Sequence, residues 1–177
     1  MLSSLDWTKG WRILERSKEY YLDLADYSTS IIFSAMAFEA ELARLYFKWR
    51  DIDVMRTETR RPSEEELEDE YRRLGSTIAD RIERVALLLD HRGIDEFARG
   101  SDLTDRIDEG YPSLNVGSLS ADFQSSLFWP RNRILHAGYT GYGPEDAVRA
   151  HNIASLGLAL LKRMDLARRG GGQARRD

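Results

Sequence analysis

A long stretch without glycine or proline, residues 11–61, constrains the fold of this chain more than any other feature. Its residues favour helix, but a single unbroken helix would be roughly 75 Å long at ~1.5 Å per residue, too long for a domain of this size. Residues 26–30 supply capping and helix-weakening side chains, so they predict a break. We therefore expect one helix over residues 6–25 and a second over residues 28–52.

The second predicted helix carries apolar residues at helical spacing, which indicates a face directed into a core. These apolar positions are Ile31, Ala35, Phe38, Leu42, Leu45 and Trp49. Polar residues occupy positions on the other side of the helix, and we expect them to face solvent. This polar set is Ser34, Glu41, Arg44 and Lys48.

The next segment predicts one long helix over residues 64–91. Ser63 and Glu66 are three residues apart, the spacing of a capping box at a helix start. Apolar residues then recur every three or four positions and keep their phase across Gly75, which favours one helix rather than two. A basic last turn followed by Gly93 predicts the end of this helix.

Residues 94–118 predict a short helix over residues 94–99 and otherwise loop. A further helix is expected to begin near Ser120 and to approach Pro130. Because the residue before a proline is biased away from helix, Pro130 either kinks this helix or starts a new one at its first position. The glycines of residues 138–143 predict a turn.

The C-terminal part of the chain predicts a final helix from Pro144 to about residue 168, with two acids in its first turn. Residues 170–177 are expected to form a disordered tail. No segment alternates apolar and polar residues at length, so no strand is predicted. The sequence thus predicts an all-α bundle of about five to six helices, with residues 1–169 forming a single domain.

The composition excludes several kinds of chemistry. The chain has no cysteine, which excludes disulfides, thiolate metal sites and cysteine nucleophiles, and its three histidines are too scattered to predict a metal site. A net charge of −4 gives no global sign of nucleic-acid binding. The most apolar run, residues 31–38, is too short to cross a bilayer, and the N-terminus lacks an apolar run of signal-peptide length. We expect a cytoplasmic protein without a cofactor.

The residues best suited to catalysis are Arg131, Asn132 and His136. An imidazole titrates near neutral pH and moves protons in either direction, and a guanidinium stabilises negative charge that grows on a phosphate. An amide beside them orients the ring or a phosphate oxygen. These groups suffice for metal-free RNA cleavage, in which the 2′-OH attacks its own 3′-phosphate, whereas DNA lacks that hydroxyl.

The spacing of these three residues also limits what one copy can do. Asn132 and His136 are four residues apart and share a helix face, whereas Arg131 lies about 140° from His136 around an ideal helix. One copy therefore looks sparse for an enzyme, and a symmetric dimer would bring two copies together. The structural alternative is that Arg131 is solvated, Asn132 caps a helix after the proline, and His136 packs beside the glycine turn.

The pattern Arg-Asn-x-x-x-His over residues 131–136, followed by a glycine-containing turn and an amphipathic last helix, resembles the HEPN superfamily. The predicted order of helices, with a helical hairpin first, is also similar to that of the superfamily, and this similarity of architecture covers most of residues 8–168. Membership implies an all-α, commonly dimeric bundle, in many cases a metal-independent endoribonuclease of toxin–antitoxin or antiviral systems. It implies catalytic roles for Arg131, Asn132 and His136, and single-stranded RNA, a second copy and an antitoxin or defence protein as partners.

One branch of these toxins carries a tyrosine two residues after the motif histidine, which its partner antitoxin modifies. Gly138 occupies that position here and tyrosine follows one residue later, so control by that antitoxin type is not expected. Other members of the superfamily have lost catalysis and act as binding modules. The rival hypothesis is therefore a catalytically silent module that binds a partner protein or a nucleotide.

Residues elsewhere are candidates for supporting the motif. Glu39 lies on an otherwise apolar stripe, where it is either a residue at the edge of the core or a carboxylate that orients Arg131 or His136. His151 is expected at the boundary of the core, and His91 as a helix-capping residue. Aromatic rings and arginines near the motif either pack the turn against the bundle or clamp single-stranded RNA. This last set is Arg133, Tyr139, Tyr142 and Arg149.

Overall fold

The computed structural model describes residues 8–57, 60–75, 77–100 and 119–171 of the chain. This part of the chain is helical and contains no β-strand, which confirms the predicted all-α class. Its elements are α1 (Thr8–Leu22), α2 (Tyr27–Thr57), α3 (Glu64–Arg73), α4 (Ile78–Asp90), α5 (Ile94–Arg99), α6 (Leu119–Phe123), a π-helical segment (Gln124–Phe128), α7 (Trp129–Ala137) and α8 (Pro144–Gly171). None of these helices is both long and apolar enough to cross a membrane.

The break between the first two helices lies where the polar run predicts it. The side chain of Asp26 accepts a hydrogen bond from the backbone N–H of Thr29 at 3.0 Å, and this contact caps the start of α2. Ala25, in the connection, has a positive φ of 51°, which no helix continues through. Relative to the prediction, α1 ends three residues earlier, and α2 continues to Thr57.

The prediction of one helix over residues 64–91 is wrong, because the structure divides it into α3 and α4. Thr77 caps α4 through a reciprocal pair of hydrogen bonds with Asp80. A Cβ at position 75 would overlap the side chain of Asp80, so Gly75 permits the close approach of the chain at the break. Both helices still bury apolar positions of the predicted stripe, such as Leu67 and Ile82, and the periodicity therefore did not reveal the break.

The end of α4 confirms the prediction of His91 as a helix-capping residue, although Gly93 does not end this helix. His91, not a glycine, is the C-cap residue, with a left-handed φ of 58°, and its N–H donates to the carbonyl of Leu87 at 2.9 Å. Gly93 instead precedes α5 as its N-cap. The predicted helix over residues 94–99 is confirmed as α5, and the predicted loop over residues 101–118 lies outside the described residues.

Helix α2 is the centre of the bundle and contacts α1, α8 and α7. Its predicted apolar stripe is confirmed, since every member is buried. The prediction that the other side of α2 faces solvent is wrong, because Ser34 and Glu41 are buried where α1 covers them. Their polar atoms have partners: the Ser34 hydroxyl lies 2.6 Å from that of Ser17 on α1, and Glu41 accepts two hydrogen bonds from Arg44.

The π-helical segment joins α6 to α7 in one helical path that begins one residue before the expected Ser120. The N–H of Trp129 donates to the carbonyl of Gln124, five residues back, and Pro130 follows near the start of α7. Inside the bundle, the ring of Phe38 stacks on that of Phe123 with centroids 4.6 Å apart. The ring of Phe38 also lies 6.0 Å from that of Phe128, the last residue of the π-helical segment, so these buried rings hold the segment against α2.

The last helix begins at Pro144, as predicted, and continues to Gly171, three residues past the expected end. Asp146 caps this start by accepting the N–H of Gly143 at 2.9 Å. The predicted tail over residues 170–177 therefore overlaps the helix at its first two residues. The rest of that prediction lies outside the described residues.

Candidate functional site

The motif helix α7 has one side against the bundle and one open side. Pro130 is buried and Ile134 is half-buried, whereas Asn132 and His136 are exposed. At about 100° per residue, Asn132 and His136 lie near the middle of the open side. Trp129 lies next to them on one flank, and Leu135 lies on the other flank, towards Arg131; both are exposed.

Arg131 turns away from the open side, towards α2. Its Nη2 lies 3.2 Å from Oε2 of Glu39, and the two side chains are 27% and 26% exposed. Its Nη1 donates to the Asn132 side-chain oxygen at 3.4 Å, and its buried Nε has no hydrogen-bond partner among the described residues. Arg131 is therefore positioned by a carboxylate from a helix about ninety residues earlier in the chain.

Burial raises the pKa of Glu39, and the charges of Arg131 and Arg81 counter this effect without cancelling it. A carboxylate in this half-buried position favours a cationic partner because its own charge is poorly hydrated. Glu39 was expected to contact either Arg131 or His136, and in the structure it contacts Arg131. In the described part of the chain, the recorded ion pair of Glu39 is with Arg131, and no hydrogen bond or ion pair joins it to His136.

His136 lies in the last turn of α7, where its side chain is exposed. It has no hydrogen-bond partner among the described residues. The helix ends at Gly138, whose φ of 62° is the left-handed conformation that favours glycine, and the N–H of Tyr139 donates to the carbonyl of Arg133 at 3.3 Å. The imidazole is therefore open to a substrate, while Arg131 of the same copy points to another side of the helix.

Arg133, Tyr139 and Tyr142 come together beside the motif. The Arg133 guanidinium lies 4.0 Å from the ring centroid of Tyr139, and the rings of Tyr139 and Tyr142 meet edge to face at 4.9 Å. Tyr142 also packs against the core, and burial raises the pKa of its hydroxyl. Tyr142 thus packs the turn against the bundle, whereas Arg133 and Tyr139 remain at the surface of the motif helix.

Trp129 joins this group, although sequence reasoning did not select it. The residue is 58% exposed, and the Arg133 guanidinium lies 5.2 Å from the centroid of its ring. The available signal was its position four residues before Arg133, which places both residues on one helix face.

Arg149, unlike the other predicted RNA-binding residues, pairs with a carboxylate and lines a cavity. Its Nη2 is 3.7 Å from a carboxylate oxygen of Asp122 in α6. It lines a cavity of about 230 Å³ between the π-helical segment and the start of α8. The other lining residues are Ser125, Ser126, Pro130 and Asp146.

The remaining histidines lie apart from the motif helix. The Nδ1 atom of His151 is 3.5 Å from the hydroxyl of Ser17, and its ring meets that of Tyr21 edge to face. Burial, with the nearby charge of Lys18, lowers the pKa of His151. No group of three or more His, Cys, Asp or Glu residues in the described ranges could hold a metal ion.

Comparison with known proteins gives no match among protein-family models, curated proteins or solved structures. The HEPN interpretation therefore rests on the motif at residues 131–136 and on the order of the helices.

Proposed function

We propose that this chain is a HEPN-type, metal-independent endoribonuclease that cleaves single-stranded RNA in the cytoplasm as a toxin or antiviral-defence effector. The carrying observation is the open side of α7, where Asn132 and His136 are exposed together while Glu39 holds Arg131 at the edge of the same helix. This arrangement leaves the imidazole open to a substrate, next to an amide whose oxygen accepts a hydrogen bond from the positioned Arg131.

The proposed reaction is an internal transesterification. The 2′-oxygen forms a bond to the adjacent phosphorus as its proton passes to an imidazole, and the bond from phosphorus to the leaving 5′-oxygen breaks as that oxygen receives a proton. The products are a 2′,3′-cyclic phosphate and a 5′-hydroxyl. Arg131 stabilises the extra negative charge of the phosphorane, and Asn132 orients the phosphate or the ring. The reaction as written needs no oxidant, metal ion or cofactor.

A homodimer supplies what one copy lacks. The reaction needs both a proton acceptor and a proton donor, and each copy brings one exposed His136. Exposed apolar side chains lie on the side of α7 that meets α2: Leu135 on α7 itself, and Met36 one turn before Glu39 on α2. Pairing through this flank would bury both side chains and bring the two motif helices to one cleft.

The test is cleavage of single-stranded RNA by purified protein in EDTA. The wild type is expected to produce 2′,3′-cyclic phosphate ends and to leave single-stranded DNA intact. His136→Ala and Arg131→Ala should each lose at least about 100-fold in rate, the usual contribution of such groups. His151→Ala is the matched control, since it removes a histidine that lies apart from α7, and it should retain activity.

The alternative function is a catalytically silent HEPN-like module that binds an antitoxin, a defence protein or a nucleotide. The ion pair between Arg131 and Glu39 favours it, because a guanidinium already paired offers less charge to a phosphate. Wild-type protein that cleaves no RNA would support this alternative. A structure of the dimer with the two His136 side chains on opposite sides would exclude the composite site.

A further inference from the structure

Trp129, on the motif helix α7, is an exposed aromatic residue with polar neighbours. Trp129 is 58% exposed, and the residues one helical turn from it on the open side of α7 are Asn132 and Arg133. A large apolar ring in water gives up the stabilisation that burial would bring, roughly 25 cal/mol per Å² of its surface. Polar neighbours also argue against a purely apolar partner for this ring.

The segment that carries the ring contains basic residues and no acidic ones, although the chain as a whole is negative. Residues 123–144 contain Arg131, Arg133 and His136 but no aspartate or glutamate, in a chain of net charge −4. Glu39 pairs with Arg131, whereas Arg133 forms no ion pair with a carboxylate in the described part of the chain. A guanidinium without a carboxylate partner, beside an exposed indole, favours a polyanion that also offers flat apolar rings.

The Arg133 guanidinium organises the aromatic side chains of this surface. It lies 5.2 Å from the ring centroid of Trp129 and 4.0 Å from that of Tyr139, so it bridges the two rings. The ring of Trp129 is thereby held, while more than half of the side chain stays open to a further stacked ring. His136 lies two helical turns from Trp129 on the same side of α7.

We propose that Trp129, held by Arg133, is a stacking platform for an unpaired base of single-stranded RNA. The platform deepens and rests on the function proposed above, because it specifies how the substrate is held beside His136. A base stacked on the indole brings its sugar-phosphate backbone along the open side of α7. Double-stranded RNA is refused, since paired bases do not present a free face to the ring.

The experiment measures binding separately from cleavage. The probe is a short, fluorescently labelled 2′-O-methyl oligouridine, which has no 2′-OH and so is not cleaved by the proposed reaction. Fluorescence anisotropy at low salt should show Trp129→Ala binding the probe about 5- to 100-fold more weakly than the wild type. Trp129→Phe, which keeps a stacking ring, should lose much less.

A second readout uses the tryptophan itself. Stacking of a base should quench the intrinsic fluorescence of the wild type, and this quenching should disappear in Trp129→Phe. Trp11→Phe is the matched control, because it removes a half-buried tryptophan of α1 and should leave the quenching intact. Circular dichroism and the molar mass in solution show whether each variant keeps its fold and oligomeric state.

Unchanged probe affinity in both Trp129 variants would overturn the platform. So would a Trp129→Ala variant that changes only the oligomeric state, since the ring would then belong to a protein contact. Probe binding that needs Trp129, in a wild type that cleaves no RNA, would refute the nuclease but keep the platform. RNA cleavage with an unaltered KM in Trp129→Ala would refute the platform but keep the nuclease.

Discussion

Gly157 lies within α8, against two aromatic rings of the core. A Cβ added there would lie 2.5 Å from Cδ2 of Phe38 and 2.9 Å from Cε1 of Phe123. Real side chains do not approach this closely, so either the rings or the helix would have to shift. Both rings are fully buried and stacked on each other, which leaves them little room.

Two opposing effects decide the consequence of Gly157→Ala. Alanine favours the helical backbone over glycine by roughly 1 kcal/mol. Overpacking a close-packed core costs typically about 1–3 kcal/mol, and we take the upper end because two buried rings are displaced. The expected net loss is about 2 kcal/mol in the free energy of unfolding. In a chain of this size such a loss lowers the melting temperature by about 4–8 °C.

Thermal and urea unfolding followed by circular dichroism would measure this effect. Gly170→Ala is a matched control, because the same helix contains Gly170 with nothing within 4 Å of its added Cβ. There the helical preference acts alone, and we expect a change between zero and about 1 kcal/mol in the stabilising direction. A Gly157→Ala variant that is as stable as the wild type, or more stable, would refute the packing argument.

Three further predictions concern charged groups. Glu39→Gln should lower the cleavage rate about 10-fold with little change in KM, measured in the RNA assay, because Arg131 loses the carboxylate that positions it. Asp165→Ala should cost about 3 kcal/mol in urea unfolding, since Lys48 loses a buried acceptor. Burial raises the pKa of Asp165, but its hydrogen bonds and the nearby cations lower the pKa by more, so the net pKa lies below its ordinary value. The stabilisation from the Asp165 carboxylate is therefore present at neutral pH and is lost as pH falls through the folded pKa. The lowered pKa of His151 means that the unfolded chain takes up its proton first, so stability should fall as pH drops below about 6.5, and less so in His151→Gln.

Local rules predicted most of the helices correctly. The cap at residues 26–30, the box at Ser63 and the proline start of α8 act through neighbouring residues, and each lies where the sequence places it. The break at Gly75 was missed because apolar periodicity outweighed a second local signal, Thr77 and Asp80. The shared face of Asn132 and His136 likewise follows from helical spacing alone.

By itself, the sequence determined the all-helical class, most of the helix starts and which motif residues share a face, because backbone hydrogen bonds and caps join residues a few positions apart. Only the tertiary structure decided that Ser34 and Glu41 are buried, since α1 covers a side of α2 that looks polar. It also decided that Arg131 meets Glu39 and that Trp129 stays exposed. These outcomes depend on contacts between segments far apart in the chain, and no local pattern encodes them.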